Sequence, residues 1–160
     1  MRAPTLVIAL AVLASSLVLG CGRPYEAATP DGFIDFGDRY KSGSEHEYRA
    51  ATADGVVIGV RAFDNHPKAD MALAVRALEN RVRLGQGYAL LGKREVVARN
   101  GTKGTMLEFG HDEASGPHLY YVTVFLNEEH VFLLEAGGKK DLVEKARSSI
   151  DWSIKNFLPK

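Results

Sequence analysis

Two apolar runs separated by a short polar segment form the strongest pattern in the chain. Residues 119–126 and 131–136 are rich in β-branched and aromatic side chains, and the polar segment 127–130 lies between them. This combination predicts a β-hairpin, with Phe132 or Leu134 facing Val124. Because consecutive side chains of a strand point to opposite faces, both faces of this hairpin are apolar. We therefore expect the hairpin inside a sheet that is covered on both sides.

Two dipeptides predict further hairpins. Asp54-Gly55 and Asn100-Gly101 favour type I′ turns, which require positive φ angles. Each dipeptide lies between runs that are rich in strand-forming residues. The predicted strands are 48–52, 56–63, 88–99 and 102–109.

Two segments have the spacing of amphipathic helices. The first follows Asn65, a good helix cap, and Pro67, which is tolerated in a first turn; Gly85 and Gly87 are expected to end it. Gly137-Gly138 is expected to break the sheet. The second helix then spans residues 140–158.

The order of elements predicts the fold class. The order is β-β-α-β-β-β-β-α, with short hairpin connections. Hairpins with segregated helices indicate an α+β fold, here an antiparallel sheet of about six strands flanked by two main helices. About 140 residues beyond the leader are sufficient for a single domain with its own core.

The first residues indicate export. Arg2 precedes an apolar stretch, residues 6–19, that is interrupted only by Ser15 and Ser16. Fourteen helical residues span about 21 Å, less than the ~30 Å hydrocarbon core of a bilayer. The stretch is therefore typical of a secretory signal peptide.

The end of this stretch resembles a bacterial lipobox. It reads Leu17-Val18-Leu19-Gly20-Cys21, and Cys21 is the only cysteine of the chain. The resemblance implies a signal peptide of residues 1–20, lipidation of Cys21 by diacylglycerol and an acyl chain such as palmitate, and anchoring in a membrane. The residue after Cys21 is Gly22, whereas an aspartate at this position would resemble an inner-membrane retention signal. The glycine therefore favours the outer membrane in a bacterium with two membranes. The alternative is an ordinary signal peptide with an incidental cysteine.

The part of the chain after Cys21 is expected to form a tether and one domain. Residues 21–32 have no periodic apolar pattern and predict a tether, followed by a domain over residues 33–160. Removal of residues 1–20 takes away one basic residue, Arg2, and leaves 19 basic and 20 acidic residues. A nearly neutral chain without a basic run gives no support to nucleic-acid binding.

The domain resembles the PsbP/DcrB-like family. The resemblance covers residues 33–158 and depends on four segments. They are Gly85-Gln86-Gly87-Tyr88 after the first helix, Gly101 to Gly104 with Leu107-Glu108-Phe109, the strand 120–125, and Leu134-Glu135-Ala136-Gly137 before the closing helix. The resemblance implies a sheet flanked by helices and a non-enzymatic accessory or assembly role. It brings no catalytic residue and no cofactor.

One loop contains candidate metal ligands. His111, Asp112 and His118 lie in the predicted loop 111–118, and two histidines with a carboxylate suit zinc or copper. The spacing matches no standard metal motif, and a solvated hairpin tip is the alternative. His130 is expected at the opposite end of the sheet. No catalytic motif is found elsewhere, so we expect no enzyme.

Two functions remain open from the sequence. The first is a lipid-anchored envelope protein that binds or helps to assemble a protein partner. The second is a lipid-anchored carrier or sensor of a small ligand, with a cleft between sheet and helix. A filled interior would favour the first, and a cavity of several hundred cubic ångströms the second.

Overall fold

The computed structural model describes residues 23–37 and 47–160. The described residues form nine strands and three helices. The strands are β1 Tyr25–Glu26, β2 Ile34–Asp35, β3 Tyr48–Ala51, β4 Val57–Asp64, β5 Ala89–Val97, β6 Lys103–Glu113, β7 Gly116–Leu126, β8 His130–Lys139 and β9 Leu158–Pro159. The helices are α1 Met71–Asn80, which continues as a π-helical turn over Arg81–Gly85, α2 Lys140–Lys145 and α3 Arg147–Asn156.

Seven strands form one antiparallel sheet in the order β2-β3-β4-β8-β7-β6-β5. The α+β class, the antiparallel sheet and its flanking helices are therefore confirmed. β2 adds a strand that the sequence pattern did not predict. The β7–β8 hairpin lies inside the sheet, between β4 and β6, as predicted.

Helices cover both faces of the sheet. On one face, Ile150 and Phe157 belong to the same buried cluster as Tyr121, Phe125 and Phe132. On the other face, Leu78 and Val82 pack with a cluster that contains Leu107, Val122 and Val124. Val124 is fully buried. The prediction of a hairpin covered on both sides is confirmed.

The register of this hairpin differs from the expectation. Val124 faces Leu133, and Phe132 faces Phe125. Leu126 pairs with Val131 and β8 begins at His130, so residues 127–129 form the connection. The Asn127 side chain caps it by accepting from the backbone N–H groups of Glu129 and His130 at 2.9 and 2.7 Å.

The N-terminal segment is part of the domain. β1 pairs with β9, and the Pro24 carbonyl accepts from the Lys160 N–H at 2.9 Å. Tyr25 is 2% exposed, with its ring centroid 5.5 Å from that of Phe157 and 6.2 Å from that of Phe132. The prediction of a tether is therefore wrong from residue 23 onward, because a two-residue strand is too short to produce a periodic pattern. Cys21 and the signal peptide predicted over 1–20 lie outside the described residues.

The first helix begins later than predicted. Asp70 is its cap and accepts from the Leu73 N–H at 2.7 Å. Asn65 instead extends the β4 side of the sheet, because its N–H donates to the Glu129 carbonyl at 2.7 Å and its side-chain amide donates to the Asn127 carbonyl at 3.0 Å. No helix in the described part of the chain combines the length and the apolar character needed to cross a bilayer.

The last part of the chain contains two corrections. Gly137 and Gly138 do not break the sheet, because they continue the pairing of β8 with Tyr120 and Leu119. A Cβ atom at Gly137 would come within 3.2 Å of the Leu119 carbonyl oxygen, so this glycine permits close strand packing. The predicted helix 140–158 is divided at Ala146 into α2 and α3.

Candidate binding groove

A groove of about 630 Å³ opens between β5 and the helices α2 and α3. β5 is an edge strand of the sheet. The floor includes Gly110, Leu119 and Tyr121, and Lys140 and Glu144 line the side formed by α2. The groove is open to solvent, and the hydrophobic core beneath it is filled with fully buried aromatic side chains.

An exposed leucine forms the β5 side of the groove. The register between β5 and β6 shifts between Leu90 and Gly92, which places Leu91 in a bulge. Leu91 is 61% exposed. Its side chain lies over Gly110, where an added Cβ would come within 3.1 Å of Leu91 Cδ1. Glycine at position 110 therefore leaves room for Leu91 at the edge of the groove.

A charged cluster lies on the floor of the groove. Arg147 donates to both oxygens of Glu108, one at 3.3 Å, and to the Tyr121 hydroxyl at 3.2 Å. Its guanidinium carbon lies 5.3 Å from the Tyr121 ring centroid, a cation–π distance. The hydrogen bonds to Glu108 raise the pKa of Arg147, and burial raises the pKa of Tyr121.

A second arginine reinforces this cluster. Arg94 Nε lies 3.8 Å from Glu108 Oε1, and Arg94 Nη2 donates to Asp151. Glu108 thus lies between two guanidinium groups, one from β5 and one from α3. These ion pairs hold α3 against the sheet and fix the orientation of the charged groups.

The predicted metal ligands lie at the far end of the groove. His111 and His118 face each other directly on β6 and β7. The predicted loop 111–118 is wrong in its length, because the strands extend to Glu113 and Gly116 and leave only a short turn. His118 Nδ1 donates to the Gly116 carbonyl at 2.9 Å. Asp112 pairs with Pro117, so it lies on the opposite face of the sheet from the two histidines.

The described residues contain no group of three His, Cys, Asp or Glu side chains that could hold a metal ion. The His111 ring instead packs on Tyr88, with centroids 4.8 Å apart. His130 lies at the other end of the sheet, where it pairs with Asp64. The histidine pair alone supplies two of the four ligands of a typical zinc site.

The remaining groove residues were not found from the sequence. Glu108 and Arg147 are 39 positions apart, and no local motif connects them. One signal was present, since Glu108 and Glu135 each interrupt an apolar strand. A charged residue in a buried strand requires a partner, and that requirement predicts a basic residue nearby in space.

Glu135 belongs to a separate, fully paired network on the other face of the sheet. Arg61 donates to its two oxygens at 2.7 and 2.5 Å, and the Tyr120 hydroxyl also donates to it. Burial, with the neighbouring Glu135 charge, raises the pKa of Tyr120. A small hollow of about 320 Å³, lined partly by Gly59 and Gly137, lies beside this network. The network connects β4, β8 and β7 through side chains.

Comparisons with known proteins define the fold. No protein-family model matches the chain, and no curated protein matches it. The chain is similar to the solution structure of the cyanobacterial PsbP protein CyanoP from Synechocystis, with 14% identity, coverage of 86% of this chain and 87% of that chain, and a TM-score of 0.62. It is also similar to LpqN, a protein involved in cell envelope biogenesis of Mycobacterium tuberculosis, with 13% identity, coverage of 84% and 83%, and a TM-score of 0.62.

A third similar structure comes from a eukaryote. The Ran-binding protein Mog1p of Saccharomyces cerevisiae shares 12% identity, with coverage of 85% of this chain and 90% of that chain, and a TM-score of 0.53. At these identities the similarity shows the fold alone. The chain therefore has a PsbP-like α+β fold.

Proposed function

We propose that this chain is a lipid-anchored bacterial envelope protein whose domain binds a protein partner without catalysing a reaction. The observation that carries the proposal is the groove beside β5. An exposed apolar side chain, Leu91, projects there from the edge strand β5, near charged groups that are already held in place. Such a combination suits recognition of an extended segment, which can pair with the edge strand while its side chains enter the groove.

The comparisons support this proposal at the level of the fold. Mog1p is a Ran-binding protein, and LpqN is involved in cell envelope biogenesis. Glu108 on the floor of the groove is engaged in ion pairs with Arg94 and Arg147. These charged side chains are therefore held in fixed positions, which supports a role in binding.

A crosslinking experiment tests the role of the groove. A photoreactive amino acid at Leu91 should form a discrete adduct with a partner in intact cells, and one at Arg76, an exposed position on α1, should not. The adduct at Leu91 should disappear when Gly110→Leu fills the floor of the groove. Equal adducts at Leu91 and Arg76, or an adduct that Gly110→Leu leaves unchanged, would contradict a binding role for this groove.

The anchoring part of the proposal rests on Cys21. The Cys21→Ser variant should lose incorporation of labelled fatty acid and should leave the membrane fraction, because two or more acyl chains give stable anchoring. In a bacterium with two membranes, the wild-type protein should fractionate with the outer membrane. Wild-type protein that takes up no fatty acid would refute the lipid anchor.

The volume of the groove favours a second candidate function, a carrier or sensor of a small ligand. A volume of about 630 Å³ falls within the usual ~300–1,000 Å³ of small-molecule sites. A bound ligand should be released from gently purified wild-type protein on denaturation and should be absent from Gly110→Leu. Mass spectrometry that finds no stoichiometric small molecule in the wild type would reject this candidate.

A further inference from the structure

The distance between the predicted anchor and the first fixed residue determines how the domain meets the membrane. Pro24 is held by Lys160, and Tyr25 is buried in the core. Only three residue steps connect Cys21 to Pro24, and a fully extended chain covers at most about 11 Å over three steps. The protein therefore has almost no free tether.

The thickness of the headgroup layer accounts for most of the distance that these three residue steps can span. The acyl chains of Cys21 would enter the hydrocarbon, and each headgroup layer is roughly 5–8 Å thick. About 3–6 Å then remain between the outer limit of the headgroups and Pro24. The surface of the domain around Pro24 consequently lies within about 6 Å of the headgroups.

We call the surface of the domain around Pro24 the anchor end. Several turns and both ends of the described chain are joined there by hydrogen bonds. Asn100 donates to the Pro159 carbonyl at 3.0 Å, and Asn127 donates to the Lys160 carbonyl at 2.7 Å. The turn between β5 and β6, the turn between β7 and β8 and both ends of the described chain thus lie together. Charge on this end is partly balanced, since Glu26 pairs with Arg99 at 2.7 Å and Lys160 at 3.3 Å.

The groove lies at the other end of the sheet. Its floor runs from Glu108 to Asp112, about 17–30 Å along β6 from Lys103. The β6–β7 turn, which contains Ser115, is farther still from the anchor end. The long axis of these strands therefore separates the groove from the membrane-proximal surface.

On the basis of the lipid anchor proposed above, we infer that the anchor end rests on the lipid headgroups and that the groove opens into the aqueous compartment. The bilayer is the partner of the anchor end, and the covalent anchor imposes this contact without a need for anionic lipid. The partner of the groove is then a soluble protein or the aqueous domain of a membrane protein.

Two matched labels test this arrangement. Glu128 and Ser115 are exposed residues beyond the two ends of β7, separated by about 35 Å of strand. Since acylation consumes the thiol of Cys21, a cysteine introduced by Glu128→Cys or Ser115→Cys is the only reactive thiol. The full-length, acylated variants are labelled with a fluorophore and placed in phosphatidylcholine vesicles that contain headgroup-spin-labelled lipid.

The label at position 128 should be quenched several-fold more than the label at position 115, with or without added phosphatidylglycerol. Insertion of a 20-residue Gly/Ser linker after Gly22 should reduce the difference, because such a linker spans roughly 25 Å. Equal quenching of the two labels in acylated, vesicle-bound protein would overturn the arrangement and leave the anchor intact. A mass spectrum that shows unmodified Cys21 would overturn the anchor and with it the arrangement.

Discussion

Replacement of Tyr25 by alanine measures how firmly the N-terminal segment belongs to the domain. Tyr25 is 2% exposed, and its ring lies against Phe132 and Phe157. The change removes these ring contacts and leaves a cavity under the β1–β9 pair. The test uses residues 22–160, without the leader and without Cys21.

The expected loss follows from the burial of the ring. Truncation of a buried aromatic side chain to alanine typically costs about 3–5 kcal/mol. A domain of this size has a free energy of unfolding of only about 5–15 kcal/mol. The Tyr25→Ala variant should therefore lose a large part of its stability, with a fall in Tm of roughly 10–20 °C.

Urea unfolding followed by circular dichroism measures the change. With a slope of about 1–3 kcal/mol/M, the midpoint should fall by more than ~1 M. Tyr25→Phe is the matched control, because it keeps the ring and its contacts; it should change the free energy of unfolding by less than about 1 kcal/mol. A Tyr25→Ala midpoint equal to that of the wild type would mean that residues 23–32 are a tether after all.

Three other changes test the core and its electrostatics. Val124→Asp should unfold or strongly destabilise the protein in urea melts, because it buries an unpaired charge inside the sheet. Glu128→Ala in an exposed turn is the control and should change the free energy of unfolding by less than about 0.5 kcal/mol. Similar midpoints for the two variants would contradict the central position of β7. Thr123→Val should raise the free energy of unfolding by up to about 1 kcal/mol, since the buried Thr123 hydroxyl has no hydrogen-bond partner among the described residues; a clear loss of stability would reveal a partner. The pKa of Tyr120 is raised in the folded protein, so its contribution to the free energy of unfolding is complete below the unfolded pKa near 10.0 and is lost as the pH rises above that value. Thermal melts between about pH 9 and 12 should therefore show a steeper alkaline loss of stability for the wild type than for Tyr120→Phe. Identical alkaline profiles would refute this assignment.

Local signals were sufficient for several elements. Turns occur at Asp54-Gly55 and Asn100-Gly101, with positive φ angles of 98° at Gly55 and 86° at Gly101. The predicted type I′ is wrong, because no residue other than glycine has a positive φ in the described part of the chain and type I′ needs one at Asp54 and Asn100 as well. A tight turn has few solutions, and glycine makes the required backbone angles accessible. The alternation of side chains in β7 likewise predicted both of its faces correctly, because the period of a strand is fixed by its geometry.

The same local signals failed where packing decided between alternatives. Gly137 and Gly138 suggested the end of a strand, but a side chain would crowd the Leu119 carbonyl of β7 at Gly137 and the Gly55 carbonyl at Gly138. Asn65 suggested a helix cap, but its amide bonds to the β7–β8 turn, 62 positions away. In both cases the residue type has two common structural roles, and contacts with residues distant in the sequence determine which role it has here.

The sequence alone determined the order of most elements, the antiparallel class of the sheet and the apolar faces of the central hairpin. These features depend on the periodicity of side chains and on turn geometry, which act over a few residues. Only the tertiary structure decided that Tyr25 enters the core, that Arg147 meets Glu108 and that a groove opens beside Leu91. The Arg147–Glu108 contact joins residues 39 positions apart, and the Tyr25–Phe132 contact joins residues more than 100 positions apart. No local sequence pattern predicts which distant side chain packs into a given space.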